Sequence, residues 1–200
     1  MFLPLTEYHG GGDAATFEPL QENLKAYEWA LAQYFGGGVQ ACYRGFRLYD
    51  TEETKRVVKK WTDFNKKFRS ILQGDLIHVR IIFYCWLLLF QIAFHDCQLQ
   101  VKRADMQGLD AYLHVPDPIF KSPYKGLIMI FNPSSDVGRL EDNTWIRIPL
   151  YYSGLTKVAH VSVEGNPATK RTYHLARDYS ITVQLNLEPE SFTWLLIEDH

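Results

Sequence analysis

Residues 81–94 read IIFYCWLLLFQIAF, an apolar block interrupted only by Gln91, and the chain follows different rules on its two sides. Before the block, apolar residues recur at helical steps of three and four; after it, they alternate as in strands. A membrane-spanning helix needs about 20 apolar residues, so the run is roughly two turns short and is not assigned as a transmembrane segment. Two readings stay open. The block is a buried helix or strand pair, since periodicity alone does not assign short apolar runs. Alternatively, residues from about Ile81 to Lys102 are an insertion foreign to the folded protein, such as translated intron. The flanks motivate that second reading. Joining LIHVR to RADMQGLDAYLHV leaves a charged turn between two short alternating strands, Leu76 to Val79 and Ala111 to Val115, which is the pattern of a β-hairpin.

The chain has 200 residues, 46% apolar and 22% charged, which is globular usage. A net charge of −2 argues against a nucleic-acid partner held through phosphates. The one basic face, carrying Lys55, Arg56, Lys59, Lys60, Lys66, Lys67 and Arg69, is offset by Glu52, Glu53 and Asp63 and reads as a solvated helix surface. Cys42, Cys85 and Cys97 have neither CxxC nor zinc-ligand spacing, so no metal site is expected. The opening MFLPLTEYHGG lacks the basic and apolar regions of a secretion signal, which leaves localisation unassigned: either the protein is cytosolic or the true N-terminus lies upstream.

The first half repeats a strand-then-helix unit. Phe2 to Tyr8 suits a buried strand and runs into the glycine-rich turn HGGGD. In FEPLQENLKAYEWALAQYF, Phe17, Leu20, Leu24, Tyr27, Leu31 and Tyr34 form the stripe of an amphipathic helix. Thr16 or Glu18 is placed to cap it, and Gly36 to Gly38 to stop it. Val39 to Tyr43 is a second strand, followed by the loop RGFRLYD. Asp50 with Glu53 suggests a capping box for a helix from Thr51 to about Leu72, with Val57, Trp61, Phe64, Phe68 and Ile71 buried and Gly74 as terminator.

Two consecutive β/α units imply parallel strands whose ends share one edge, the edge that carries ligands in barrels and open α/β sheets. The residues expected there are Glu7, Tyr8 and His9 from the first unit and Cys42, Tyr43, Arg44 and Arg47 from the second. Each has a structural explanation too: Glu7 and His9 can bond loop amides, and the two arginines can pair with Asp50 or Glu53. The GGG following His9 permits close backbone approach to a ligand but matches no phosphate-binding fingerprint. Two strands and two helices leave a sheet edge unpaired, and an eight-stranded barrel takes about 250 residues. The expectation is therefore the tail of a longer enzyme, with most of its barrel upstream.

From Gly108 onward, LDAYLHV, GLIMIFNP, TWIRIPLYY, KVAHVSV, TYHLA, SITVQLNLEP and FTWLLIE are separated by turn residues, the rhythm of an antiparallel sandwich. Ile181, Val183, Leu185 and Leu187 alternate with Thr182, Gln184 and Asn186, giving one packed and one wet face. The last strand, with Phe192, Trp194 and Leu196, is expected to pair close by. His114, His160 and His174 share no ligand spacing and read as core or surface histidines. Tyr151 and Tyr152, at a strand end, have the flat faces that suit pyranose rings, although sheet packing is the expected role.

TEYHGGGDAATFEPL, GVQACYRGFRLYDTEET, ILQGDLIHV with RADMQGLDAYLHV, KGLIMIFNP and IRIPLYYSGL together resemble glycosyl hydrolase-like proteins in which a barrel precedes a β domain. The chain looks like the C-terminal end of retaining α-glycosidases of the α-galactosidase and α-glucosidase type. The resemblance covers nearly the whole chain except Ile81 to Lys102. It implies the last two β/α units of a TIM barrel over residues 1–75, a junction with the apolar insertion over 76–107, and a C-terminal β-sandwich over 108–200. It also implies hydrolysis of a glycosidic bond by two carboxylates about 5 Å apart, drawn in such barrels from earlier strands than these. No catalytic residue is assigned. Glu7, Tyr8, His9, Tyr43, Arg44 and Arg47 are the expected sugar-holding residues of the rim, with a carbohydrate substrate, no cofactor, no nucleic acid and a missing N-terminal barrel portion as partner. The rival readings are a non-catalytic sugar-binding or interaction module and a membrane-associated protein anchored through residues 81–94.

Overall fold

The computed structural model describes residues 2–4, 19–39, 42–44, 48–79, 109–117, 119, 122–134 and 144–199. Among them the protein is mostly antiparallel sheet with two helices. The chain divides into two compact units, Met1–Gly74 with Asp117–Lys121, and Asp75–Pro116 with Ser122–His200.

In the first unit, strand β1 (Phe2–Pro4) pairs in parallel with β2 (Cys42–Arg44), with Phe2 opposite Cys42 and Pro4 opposite Arg44. The parallel arrangement expected of two β/α units is present; a barrel is not established by two strands. Helix α1 (Leu24–Gly36) starts later than its apolar stripe suggested, because Pro19 to Asn23 form a separate turn closed by Asn23 N–H on the Pro19 carbonyl at 3.1 Å. It stops where the glycines stand: Gly37 N–H reaches the Gln33 carbonyl at 3.0 Å, and Gly38 takes a φ of 72°, a left-handed turn that glycine adopts without strain.

Helix α2 (Glu52–Leu72) is capped by Thr51, not by Asp50. Thr51 Oγ1 accepts from Thr54 N–H at 3.3 Å while Thr54 Oγ1 accepts from Thr51 N–H at 3.0 Å, a reciprocal capping box. Anchored at buried Thr54, the apolar stripe runs through Val58, Trp61, Phe64, Phe68, Ile71 and Leu72, so Val58 replaces the expected Val57. Asp50 ties this helix start to the turn before α1: its carboxylate accepts from Gln21 N–H at 3.1 Å and from the Thr54 hydroxyl at 3.0 Å. Burial opposes the Asp50 charge, but those hydrogen bonds outweigh it and hold the carboxyl below its usual 3.8. Asn offers only one acceptor oxygen, so Asp50→Asn is expected to cost about 1 kcal/mol at neutral pH. Because the folded pKa is depressed, the wild-type advantage is present above pH 3.8 and fades as pH falls through the folded value. Urea unfolding of both proteins at pH 7 and at pH 2.5 checks this, and a gap unchanged by acid would contradict it.

In the second unit, β3 (Asp75–Val79), β4 (Asp110–Val115), β5 (Tyr124–Asn132), β10 (Ser191–Glu198), β7 (Val158–Val163) and β8 (Arg171–His174) form one antiparallel sheet in that order. Strands β6 (Thr144–Pro149) and β9 (Ser180–Leu185) form a second antiparallel pair. One hydrophobic core joins the two sheets, with Leu113, Ile128, Ile130, Leu195 and Ile197 from the first and Ile146, Ile148, Ile181, Val183 and Leu185 from the second. That is the expected sandwich. The expected β9 alternation is also present, Ile181, Val183 and Leu185 buried and Thr182 and Gln184 exposed.

One expectation is met here and one changes. The expected hairpin of Leu76 to Val79 with Ala111 to Val115 is present, since β3 pairs with β4 from Asp75 opposite Val115 to Val79 opposite Ala111, and it brings the start of the junction into the sandwich sheet. The last strand does not stay beside β9. It lies between β5 and β7 with Leu195 and Ile197 inward, while Trp194 and Leu196 are buried on the sheet's other face. The crossing between sheets is held by Asn132, whose side-chain amide donates to the carbonyls of Leu187 at 3.2 Å and Glu188 at 3.0 Å.

Tyr112, on that second face of β4, stacks edge-on to His114 with ring centroids 6.0 Å apart. Burial, with the Asp110 carboxylate adding, pushes its phenol well above the usual 10.0. An unfolded tyrosine ionises near pH 10 and the folded one does not, so this contribution is complete below pH 10 and is lost as pH rises beyond it. The loss approaches 1.4 kcal/mol per pH unit, about the linkage limit for one group. Tyr112→Phe is expected to flatten the fall in urea midpoint between pH 9.5 and 11; a parallel decline in both proteins would contradict it.

Candidate functional site

The parallel register sets Pro4 beside Arg44, so the C-terminal ends of β1 and β2 lie at one edge. Of the residues expected at that edge, the backbones of Tyr43 and Arg44 lie in β2, opposite Leu3 and Pro4. Glu7, Tyr8, His9 and Arg47 lie outside the described residues. Beyond the edge, the loop into α2 is fastened by the Tyr27 hydroxyl, which donates to the Leu48 carbonyl at 3.0 Å. Asp50 and Glu53, the alternative partners for the arginines, both accept from Gln21, the Asp50 carboxylate from the Gln21 backbone N–H and the Glu53 carboxylate from the Gln21 side-chain amide at 2.7 Å.

The basic face of α2 is exposed, and several of its charges are paired within the same unit: Lys55 with Glu52 at 3.0 Å, Lys60 with Glu28 at 2.7 Å, and Lys59 with Asp63. The histidines described in the sandwich lie on separate strands, with His78 exposed on β3 opposite Tyr112. His114 is buried on β4; His160 Nδ1 lies 3.0 Å from the Thr172 hydroxyl; His174 is exposed opposite Val158. Among the described residues no group of His, Cys, Asp and Glu is placed to hold a metal ion, and no helix is long and apolar enough to cross a membrane. Residues 81–94, the segment of the membrane-anchor reading, lie outside the described residues.

One cluster departs from its expectation. Tyr151 and Tyr152 do not pack into the sheet: they sit on a 3-10 turn, Tyr151–Ser153, and are 64% and 68% exposed. The chain leaves β6 at Pro149, turns over buried Leu150 and re-enters the core at Leu155, so the two rings between these anchors face solvent. Tyr151 meets Tyr152 edge-on at 5.2 Å and 88°, and meets Tyr179 edge-on at 5.5 Å and 81°. Tyr179 is the residue sequence reasoning missed. It closes the turn Ala176 to Tyr179 before β9, with Tyr179 N–H on the Ala176 carbonyl at 2.9 Å, and its own carbonyl accepts from Leu150 N–H at 2.9 Å. Its φ is 59°, in the left-handed region. The only sequence signal for this position is the turn phrase ARDYS.

Beside the rings, Arg147 pairs with Asp178, and Arg147 Nε donates to the Ser180 hydroxyl at 2.9 Å. Ser180 Oγ donates in turn to Asp178 Oδ1 at 2.7 Å, which closes a charged network at the end of the β6–β9 ribbon. The arrangement offers exposed aromatic rings in the same turns as charged hydrogen-bonding groups, which are the kinds of groups that hold a ligand.

No family model matches the chain, and a search of curated proteins finds no match. Among solved structures, the chain is similar to a Bacillus halodurans C-125 protein named a "putative alpha-N-acetylgalactosaminidase". The TM-score is 0.40 at 15% sequence identity, and the match covers 95% of this chain and 33% of that one. This chain therefore spans about a third of that protein's length.

Proposed function

We propose that this chain is the C-terminal part of a glycoside hydrolase-like protein and contributes a portion of its sugar-binding rim and its C-terminal β domain. The observation that carries the reading is the parallel pairing of β1 with β2, each leading into a helix, in one chain with an antiparallel sandwich. In a β/α barrel, the C-terminal ends of the strands carry the ligand, and Glu7, Tyr8, His9, Tyr43, Arg44 and Arg47 lie at or just after those ends in sequence. Their acceptors and donors suit sugar hydroxyls. Glu7 alone cannot act both as nucleophile and as acid/base, so the carboxylate pair belongs to strands upstream and residues 1–200 by themselves are inactive.

The test is sequencing of the transcript from well upstream of the Met1 codon, followed by expression of the longest open frame. A frame extending through further β/α units, whose product hydrolyses aryl α-galactosides or α-glucosides while residues 1–200 do not, is the expected result. Transcripts that start at Met1 and yield no hydrolysis would sink the reading. A non-catalytic sugar-binding module is the second reading, favoured by the exposure of Tyr151 and Tyr152.

A further inference from the structure

The geometry points to a carbohydrate-binding site on the sandwich, at the end of the β6–β9 ribbon, in which Tyr152 and Tyr179 stack on pyranose rings and the Arg147–Asp178 pair engages their hydroxyls. Four observations converge on it. The first is exposure combined with order. Tyr151 and Tyr152 are more than half exposed, yet they are not loose, because Leu150 and Leu155 on either side are buried and Leu150 N–H is bonded across to Tyr179. Tyr151 stands nearly perpendicular to both neighbours and braces them edge-on. Flat apolar faces held in place are what the C–H face of a sugar requires, and tyrosine supplies them at low cost in conformational freedom.

The second is backbone strain. A bulky residue in the left-handed region is an outlier, and a turn closing in this conformation is normally given to glycine or asparagine. The chain instead places an aromatic ring there, 38% exposed and in contact with Tyr151. A bulky residue held in this region is the kind of outlier from which a functional constraint is inferred.

The third is the polar surround. Arg147 and Asp178 are partly exposed and mutually fixed through Ser180, so they present a donor and an acceptor without needing to be ordered on binding. A ligand that is apolar on its face and hydroxylated at its edge matches both parts; a purely apolar ligand would use the rings alone.

The fourth is size. At their exposures the three rings present roughly 350 Å² in all, less than half of the ~800 Å² that one partner contributes to a stable protein interface. Their exposed neighbours in the two turns, Gly154, Thr156, Lys157, Arg177 and Asp178, are small or polar. Trp145, exposed on β6, is four residues back from Pro149, about 14 Å along the strand, too far to enlarge the island. The patch fits one or two sugar rings, not a protein.

This site rests on the carbohydrate reading above only for the choice of probe. Full-length protein is run in native gels containing soluble galactomannan, amylopectin or hydroxyethylcellulose. Retardation in at least one of the three, relative to a gel without polysaccharide, is expected. In that gel Tyr152→Ala should weaken binding about tenfold, the effect of withdrawing one aromatic anchor, while Tyr152→Phe should keep it. Tyr179→Gly should lose binding and yet raise the thermal midpoint by about 2–4 °C, because the strain goes with the ring; a merely structural tyrosine would not separate the two readouts. Retardation that survives both Tyr152→Ala and Tyr179→Gly, or no retardation in any of the three gels, overturns the site. Hydrolysis by the upstream-extended protein with binding unchanged in the tyrosine variants would overturn this inference alone and leave the glycoside hydrolase reading standing.

Discussion

A chain lacking residues 81–102 is expected to keep its sandwich and to give several-fold more soluble protein. The reasoning starts from register. Strands β3 and β4 are paired residue for residue from Asp75 opposite Val115 to Val79 opposite Ala111, so the segment between them departs and returns at neighbouring positions of one sheet. A connection of that kind needs only a few residues. Nothing in the five-residue ladder depends on its length, and Val79 and Ala111 at the closing end are both buried in the core. Deleting residues 81–102 cuts the connection to about a quarter of its length, which lowers the entropic cost of closure by about 1 kcal/mol. It also removes the IIFYCWLLLFQIAF block, a contiguous apolar sequence of the kind that drives association when a chain is transiently unfolded. The check is the soluble fraction, together with urea unfolding of the shortened protein against the full chain. A shortened protein that loses cooperative unfolding would mean that residues 81–102 supply part of the core, and the insertion reading would fall.

That hairpin was legible in the sequence despite the distance, because Leu76 to Val79 and Ala111 to Val115 each carry an alternating pattern that a partner completes. The same holds for β9, whose inward Ile181, Val183 and Leu185 match the period-two spacing one for one. Legibility fails where a strand is apolar on both faces. In β10, Thr193 to Ile197 are all buried, so alternation could not say which side faces the shared core, and its partners β5 and β7 were not foreseeable from neighbours in sequence. The start of α2 shows a finer limit. Asp50 and Thr51 are both good capping residues, and the choice fell to Thr51 because Thr54 reciprocates while Asp50 is used by Gln21. The exposure of Tyr151 and Tyr152 is not legible, because pattern alone does not reveal that Leu150 and Leu155 take the buried positions on either side of them. Tyr179 carries no signal beyond its turn phrase, since backbone strain is a property of the closed turn and not of the residues that enter it.

Leu195→Ala is expected to be among the most damaging single changes in the sandwich, at about 2–5 kcal/mol. Leu195 is fully buried and sits at the middle of the six-stranded sheet, opposite Ile128 on β5 and Val163 on β7. Its side chain belongs to the core that the two sheets share, so truncation leaves a void bounded by strands that are hydrogen-bonded on both sides and cannot close in. Against a typical domain stability of about 5–15 kcal/mol, that loss should lower the thermal midpoint by about 5–15 °C. Leu195→Met, which conserves volume, should cost less than about 1.5 kcal/mol, and Trp145→Ala on the exposed face of β6 should fall within about 0.5 kcal/mol of wild type. The opposite error tests the same packing. A Cβ at Gly126 would lie 3.1 Å from Leu113 Cδ1 and 3.2 Å from Ile197 Cδ1, so β4, β5 and β10 meet there with no spare room. Gly126→Val should therefore cost about 1–3 kcal/mol by crowding, while Gly126→Ala displaces only the ends of flexible side chains and costs less. If Leu195→Ala and Gly126→Val both leave the urea midpoint unchanged, the two sheets do not close on one tightly packed core, and the sandwich assignment fails with them.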